Sequence, residues 1–106
     1  MRIVFMGTPL FAVASLKALV EDSFCKVVGV VTQPDRPKGR GKKIMESPVK
    51  IFAKEHGLPV LQPEKVKNPE AIELLRQLQP ELIVVAAFGQ FLPESILTMP
   101  KYGCIN

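Results

Sequence analysis

The sequence predicts an α/β protein: a doubly wound, mostly parallel sheet with helices on both faces. Two observations carry this. Three short apolar runs, Arg2 to Gly7, Lys26 to Gln33 and Glu81 to Phe88, are rich in β-branched residues and lack polar alternation. Strands covered on both faces have this composition. Between the runs lie amphipathic helical patterns with legible starts and stops, and strands alternating with helices build right-handed βαβ units.

Each element has a local reason. Thr8 is placed to cap a first helix with Pro9 at its first position, and Leu16, Leu19 and Val20 recur at helical spacing. Ser47-Pro48 repeats the device ahead of Val49, Phe52, Ala53 and His56, with Gly57 as the stop. Asn68-Pro69 does so a third time ahead of Ile72, Leu75 and Leu78, and Pro80 closes that helix. The stretch Leu58 to Pro63 reads as an edge strand, since Pro59 and Pro63 cannot donate to a central ladder. A short helix is expected at Pro93 to Leu97. Tyr102 to Asn106 reads as the start of a further strand, so the chain is expected to be the front part of a longer protein. The predicted order is β-α-β-loop-α-β-α-β.

Composition narrows the function classes. A chain of 106 residues with 47% apolar side chains is one domain at most and is not disordered throughout. Cys25 and Cys104 fit no metal-ligand spacing and read as reduced thiols. No signal peptide is visible, and no apolar run approaches the ~20 residues of a membrane helix, which points to the cytoplasm. The net charge of +4 is mild, and one segment supplies most of it. Thr32 to Pro48, "TQPDRPKGRGKKIMESP", carries Arg36, Lys38, Arg40, Lys42 and Lys43 against Asp35 and Glu46 only.

In an open α/β sheet, ligands bind beyond the carboxyl ends of the strands. Those ends carry "GTP" (Gly7 to Pro9), the basic segment and "FGQFLP" (Phe88 to Pro93), so all three are expected at one edge. "GTPLFA" opens a helix and could hold an anion, but it lacks two glycines of a dinucleotide fingerprint and reads first as a plain strand-to-helix turn. His56, the only histidine, is expected on the inner stripe of its helix in a structural role. Asp35 and Glu46 make no carboxylate pair of evident use. "FGQFLP" reads equally as hydrophobic cover or as the wall of a pocket for a flat heteroaromatic ligand, with Gly89 letting the backbone approach. The basic segment exceeds the ~2–6 residues of an ordinary βα connection. It alternates Arg and Lys with Gly and so suits an irregular polyanion such as RNA.

With "GTPLFA", "TQPDRPKGRGKK", "SPVK", "FGQFLP" and "GCIN" in order, the whole chain closely resembles the N-terminal part of the methionyl-tRNA formyltransferase family. The most specific piece, "TQPDRPKGRGKK", is similar to that family's inserted tRNA-contacting loop, here about residues 33–46. The resemblance implies a Rossmann-like formyltransferase fold, truncated at its C-terminal side. It implies transfer of a formyl group from 10-formyltetrahydrofolate to the amine of methionyl initiator tRNA in translation initiation, without a metal. Asn106 matches the Asn of the family's catalytic Asn-x-His; the His and a more distant Asp would follow this chain, which is expected to be inactive alone. By the same resemblance Phe88, Gly89, Gln90, Phe91, Leu92 and Pro93 would line the folate pocket, and the five basic residues would meet the acceptor stem. A cytoplasmic monomer at full length is implied. Leu10 departs from the family, which commonly has an acid after Gly-Thr-Pro. Another folate-dependent formyltransferase and a small RNA-binding α/β module are the alternatives.

Overall fold

The computed structural model describes residues 1–41 and 43–106, with Lys38 in its backbone alone. Five parallel strands form one sheet in the order β5-β2-β1-β6-β7. They are β1 (Arg2–Gly7), β2 (Lys26–Val31), β5 (Val60–Leu61), β6 (Leu82–Ala86) and β7 (Cys104–Ile105). The helices are α1 (Leu10–Glu21), α2 (Pro48–Glu55), α3 (Pro69–Gln77) and α4 (Glu94–Leu97). The doubly wound expectation holds, and Val60–Leu61 is the expected edge strand.

Strand alternation divides the core in two. Phe5 and Val30 face α1 and α2, packing on Ala12, Leu16, Val49 and Ala53. Val4, Met6, Val31 and Ile83 face α3 and α4, packing on Leu75 and Ile96. The register of β1 on β2 slips between Ile3 and Val4, which pair with Val27 and Gly29. The slip leaves Val28 and Gly29 toward the same side, where Leu78 Cδ1 lies 2.6 Å from the place a Cβ on Gly29 would take. The leucine that ends α3 thus packs closely over this bulge.

Two helix starts differ from expectation. Ser47 caps α2 as foreseen, its Oγ accepting from the Lys50 N–H at 3.0 Å. At α1, however, Pro9 holds the cap position and Thr8 does not cap; its hydroxyl donates to the Phe88 carbonyl at 2.8 Å. Asn68 sits at the cap of α3 without a side-chain cap bond. His56 is exposed, not inward: it ends α2, stacks on Phe52 with ring centroids 4.0 Å apart, and sets Nδ1 2.9 Å from the Phe52 carbonyl. Gly57, at φ +66, stops the helix as expected.

The segment expected as a loop contains a two-stranded antiparallel ribbon, β3 (Arg36–Lys38) and β4 (Lys43–Met45). Pro37 is tolerated because a two-stranded ribbon consists of edges. Gly39 and Gly41, at φ +73 and +78, take left-handed conformations that cost glycine little.

Candidate functional site

Crossovers from β1 to β2 to β5 run over one face through α1 and α2, and the return from β5 to β6 runs over the other through α3. The winding therefore reverses between β1 and β6, and their carboxyl ends form the switch-point crevice where such sheets bind ligands. Gly7 ends β1 there. A Cβ on it would meet the Ala86 carbonyl at 2.7 Å, so only glycine lets the two strands stay in register to their tips.

The chain leaves β6 through Ala87 at φ +53, an uncommon value for a residue with a Cβ. In regular alternation Phe88 would follow Val84 and Ala86 toward α1. The left-handed turn sends it to the other side, into the cluster of Val4, Met6 and Ile96. Its side chain is 2% exposed, so the Phe88 ring packs as cover for the core. Phe91 is 100% exposed and is the aromatic face of this segment. Leu92 packs against the core, and Pro93 caps α4.

Three glutamines then tie four strand ends together. Gln33, after β2, donates from Nε2 to the Gly89 carbonyl at 3.1 Å, and its backbone N–H lies 3.4 Å from the Thr8 hydroxyl. Gln90 donates to Gln33 Oε1 at 2.8 Å and to the Pro63 and Glu64 carbonyls, while its own Oε1 accepts from the Val66 N–H at 2.7 Å. Gln62, after β5, donates to the Gln33 carbonyl and to Asp35 Oδ1. Gly89 is at φ +100, and a Cβ there would lie 2.7 Å from Gln33 Nε2. Of these glutamines only Gln90 was among the expected site residues. The missed signal is a repeated one: "VTQP", "VLQP" and "FGQ" put a glutamine just past three strands.

The basic ribbon rises beside this crevice. A hollow of about 260 Å³ between them is lined by Thr8, Gln33, Pro34, Arg36, Met45 and Ser47. A larger one, about 410 Å³, lies between β5 and α3 and contains none of the expected site residues. Arg36, Arg40 and Lys43 are exposed, with Arg40 between the two left-handed glycines; Lys42 and the side chain of Lys38 lie outside the described residues. Arg36 makes a loose 3.5 Å contact with Glu64, both largely in solvent, where such a pair contributes little.

The flanking acids, read as no carboxylate pair of evident use, each pair with lysines of α2 and so anchor the ribbon. Asp35 meets the Lys50 ammonium at 3.0 Å, and Glu46 meets Lys50 at 3.1 Å and Lys54 at 2.8 Å. Hydrogen bonds from Gln62 and Lys50 hold the Asp35 carboxyl below its ordinary 3.8. Lys54 and Lys50 hold Glu46 below 4.5. Asp35, then Glu46, hold the Lys50 ammonium above 10.5 against the opposing cost of its partial burial.

Asn106 is exposed and directly follows β7, the strand beside β6, so it stands at the same edge as Gly89 to Pro93. Cys104, two residues earlier, points at the α4 carbonyls of Ile96 and Leu97, and burial pushes its thiol above 9.0. Both cysteines are free. Among the described residues no group of three or more His, Cys, Asp or Glu could hold a metal ion, and no helix is long and apolar enough to cross a membrane.

Comparison with known proteins agrees with this architecture. The chain is 63% identical over 106 residues to the methionyl-tRNA formyltransferase of Citrifermentans bemidjiense and 58% identical to that of Geobacter sulfurreducens, all of this chain aligning with 33% of each. It is 63% identical over 105 residues to the Bacillus subtilis enzyme of the same name, again over 33% of its length. The chain thus spans about a third of the curated relatives it matches. Its fold is similar to the crystal structure of phosphoribosylglycinamide formyltransferase from Bacillus halodurans, with TM-score 0.68 and 16% identity over 98% of this chain and 54% of that one. The Anaplasma phagocytophilum protein of that name gives TM-score 0.65 and 20% identity over 92% and 44%. The model of the formyl transferase family matches residues 1–106, the entire chain, and the chain belongs to that family.

Proposed function

We propose that this chain forms the front of an enzyme that moves a formyl group from 10-formyltetrahydrofolate to the amino group of methionyl initiator tRNA. The observation that carries the reading is one edge bearing two unlike surfaces. A crevice at the β1–β6 switch point adjoins a ribbon whose described charged residues are basic. Relatives sharing 58–63% of its residues are named for this reaction.

Each part has a chemical task. Gly89 to Pro93 would hold the pterin of the donor. Fully exposed Phe91 offers a flat apolar face, and Gly89 carries no side chain to block the backbone edge. The Gln33–Gln90 pair keeps that backbone in place. Arg36, Lys38, Arg40, Lys42 and Lys43 would bind acceptor-stem phosphates, giving affinity that falls with salt rather than base readout. Asn106 would donate an amide N–H to the formyl oxygen as it gains charge, without titrating. The enzyme would work in the cytoplasm, as a monomer and without metal.

The test is the full-length protein with labelled 10-formyltetrahydrofolate and methionyl initiator tRNA. Formyl-methionyl-tRNA should accumulate, and elongator methionyl-tRNA should be a poorer acceptor. Formyl transfer to a small amine at a rate indifferent to tRNA would overturn the tRNA assignment while leaving the family in place.

A further inference from the structure

We propose that Lys50 is the positioning residue of the basic ribbon, its one ammonium tying both of the ribbon's ends to helix α2. This inference rests on reading the ribbon as an RNA-binding element. Asp35 directly precedes β3, and Glu46 directly follows β4. Lys50 reaches the first at 3.0 Å and the second at 3.1 Å. Its side chain is only 16% exposed, so the ammonium faces these carboxylates more than it faces solvent.

The base of Lys50 is itself immobilised. Its N–H donates to Ser47 Oγ, and that buried hydroxyl shares a 2.7 Å hydrogen bond with buried Thr32 at the end of β2. The clamp is thus referred to the sheet, not to a loop. Gln62 holds Asp35 from the other side at 2.8 Å, and Lys54 holds Glu46 at 2.8 Å. Beyond these anchors the ribbon is exposed: Arg36, Pro37, Lys43, Ile44 and Met45 all stand in solvent. Its direction is accordingly set at its base.

Asp35 and Glu46 are also the only acids between Thr32 and Pro48. Left unpaired beside a phosphate-binding surface they would repel RNA, and Lys50 lies against both. Lys50 therefore acts through Asp35 and Glu46 and need not touch a phosphate.

Lys50→Met in the full-length protein tests this, since it keeps the aliphatic stem and removes the charge. KM for methionyl-tRNA should rise on the order of tenfold, as expected when a binding group is misaimed rather than removed, with kcat and the donor KM held. Tryptic cleavage after Arg40 should accelerate several-fold. Lys50→Arg should restore both, and Asp35→Asn should show a smaller form of the same two effects. The tRNA salt dependence should keep its slope. A slope reduced by about one phosphate contact with unchanged cleavage would make Lys50 a direct RNA ligand and overturn the proposal. Unchanged cleavage in Asp35→Asn would do the same if Lys50→Met failed to fold. Faster cleavage in a protein that shows no salt-dependent tRNA binding would keep the clamp and refute the RNA reading alone.

Discussion

Asp35 and Glu46, eleven positions apart at the two ends of a basic ribbon, meet the same ammonium, that of Lys50, at 3.0 and 3.1 Å. A segment that reads as solvated charge is anchored at its base, and of its described basic residues Arg36, Arg40 and Lys43 stand exposed beyond that anchor.

That arrangement has a pH signature. Both carboxyls are held below their ordinary values, so their contribution is complete above 3.8 and 4.5 and is lost as pH falls through the still lower folded values. Lys50 is raised, so its share is complete below 10.5 and is lost only as pH climbs through a higher value. Carbon-13 NMR of the side-chain carboxyls should give midpoints below 3.8 for Asp35 and below 4.5 for Glu46. Midpoints at or above those values would mean the pairs do not form in solution.

Phe88 and Phe91 should part company under substitution. Phe88→Ala empties a site that is 2% exposed and should destabilise the fold by roughly 3–5 kcal/mol, seen in urea melts. Phe91→Ala removes a fully exposed ring and should change stability by less than about 0.5 kcal/mol while raising the donor KM of the full-length enzyme. An unchanged donor KM would exclude Phe91 from the pterin pocket.

Gly89→Ala should be harmful out of proportion to its single carbon. The backbone sits at φ +100, and the new methyl would lie 2.7 Å from Gln33 Nε2. The side chain of Gln33 could swing away, but only by giving up its bonds to Gly89 and Gln90. We expect a loss of about 1–3 kcal/mol of stability together with a raised donor KM. A melt matching wild type would show that the segment reshapes freely.

Arg40, between Gly39 and Gly41, should be the ribbon's strongest phosphate ligand, because a guanidinium can grip two oxygens in parallel. Arg40→Ala should raise KM for tRNA and leave the donor KM alone, and Arg40→Lys should recover part of the loss. A donor KM that moved equally would put the ribbon in the small-molecule pocket.

Asn106→Ala should lower kcat by roughly 10²–10³-fold with little change in either KM, since an oxyanion donor acts mainly in the transition state. Asn106→Asp should do no better, because a carboxylate repels the developing charge. If the side chain only ties backbone together, Tm would fall while kcat per folded molecule stayed near wild type, so both are measured on one preparation.

Much of this molecule is written in local pattern. The unbroken runs around Val4, Val30 and Val84 had to be strands buried on both faces, Pro59 and Pro63 had to lie at an edge, and Ser47-Pro48 and Gly57 had to bound a helix. Each follows from the steric and hydrogen-bonding habits of residues a few positions apart. Placement of the turns at one edge followed from the parallel topology that those elements imply. The ribbon was not legible, because three-residue strands facing solvent leave no hydrophobic alternation to read. Tertiary structure alone decided the rest. The turn at Ala87 reverses the face that alternation assigns to Phe88. Gln33 finds Gly89 and Gln90 across 56 and 57 positions of sequence. Asp35, Gln62 and Lys50 converge only because β2, β5 and α2 are brought together by crossovers. Burial has a periodicity that sequence displays, whereas a polar side chain's partner is whichever group the completed fold sets within about 3 Å of it.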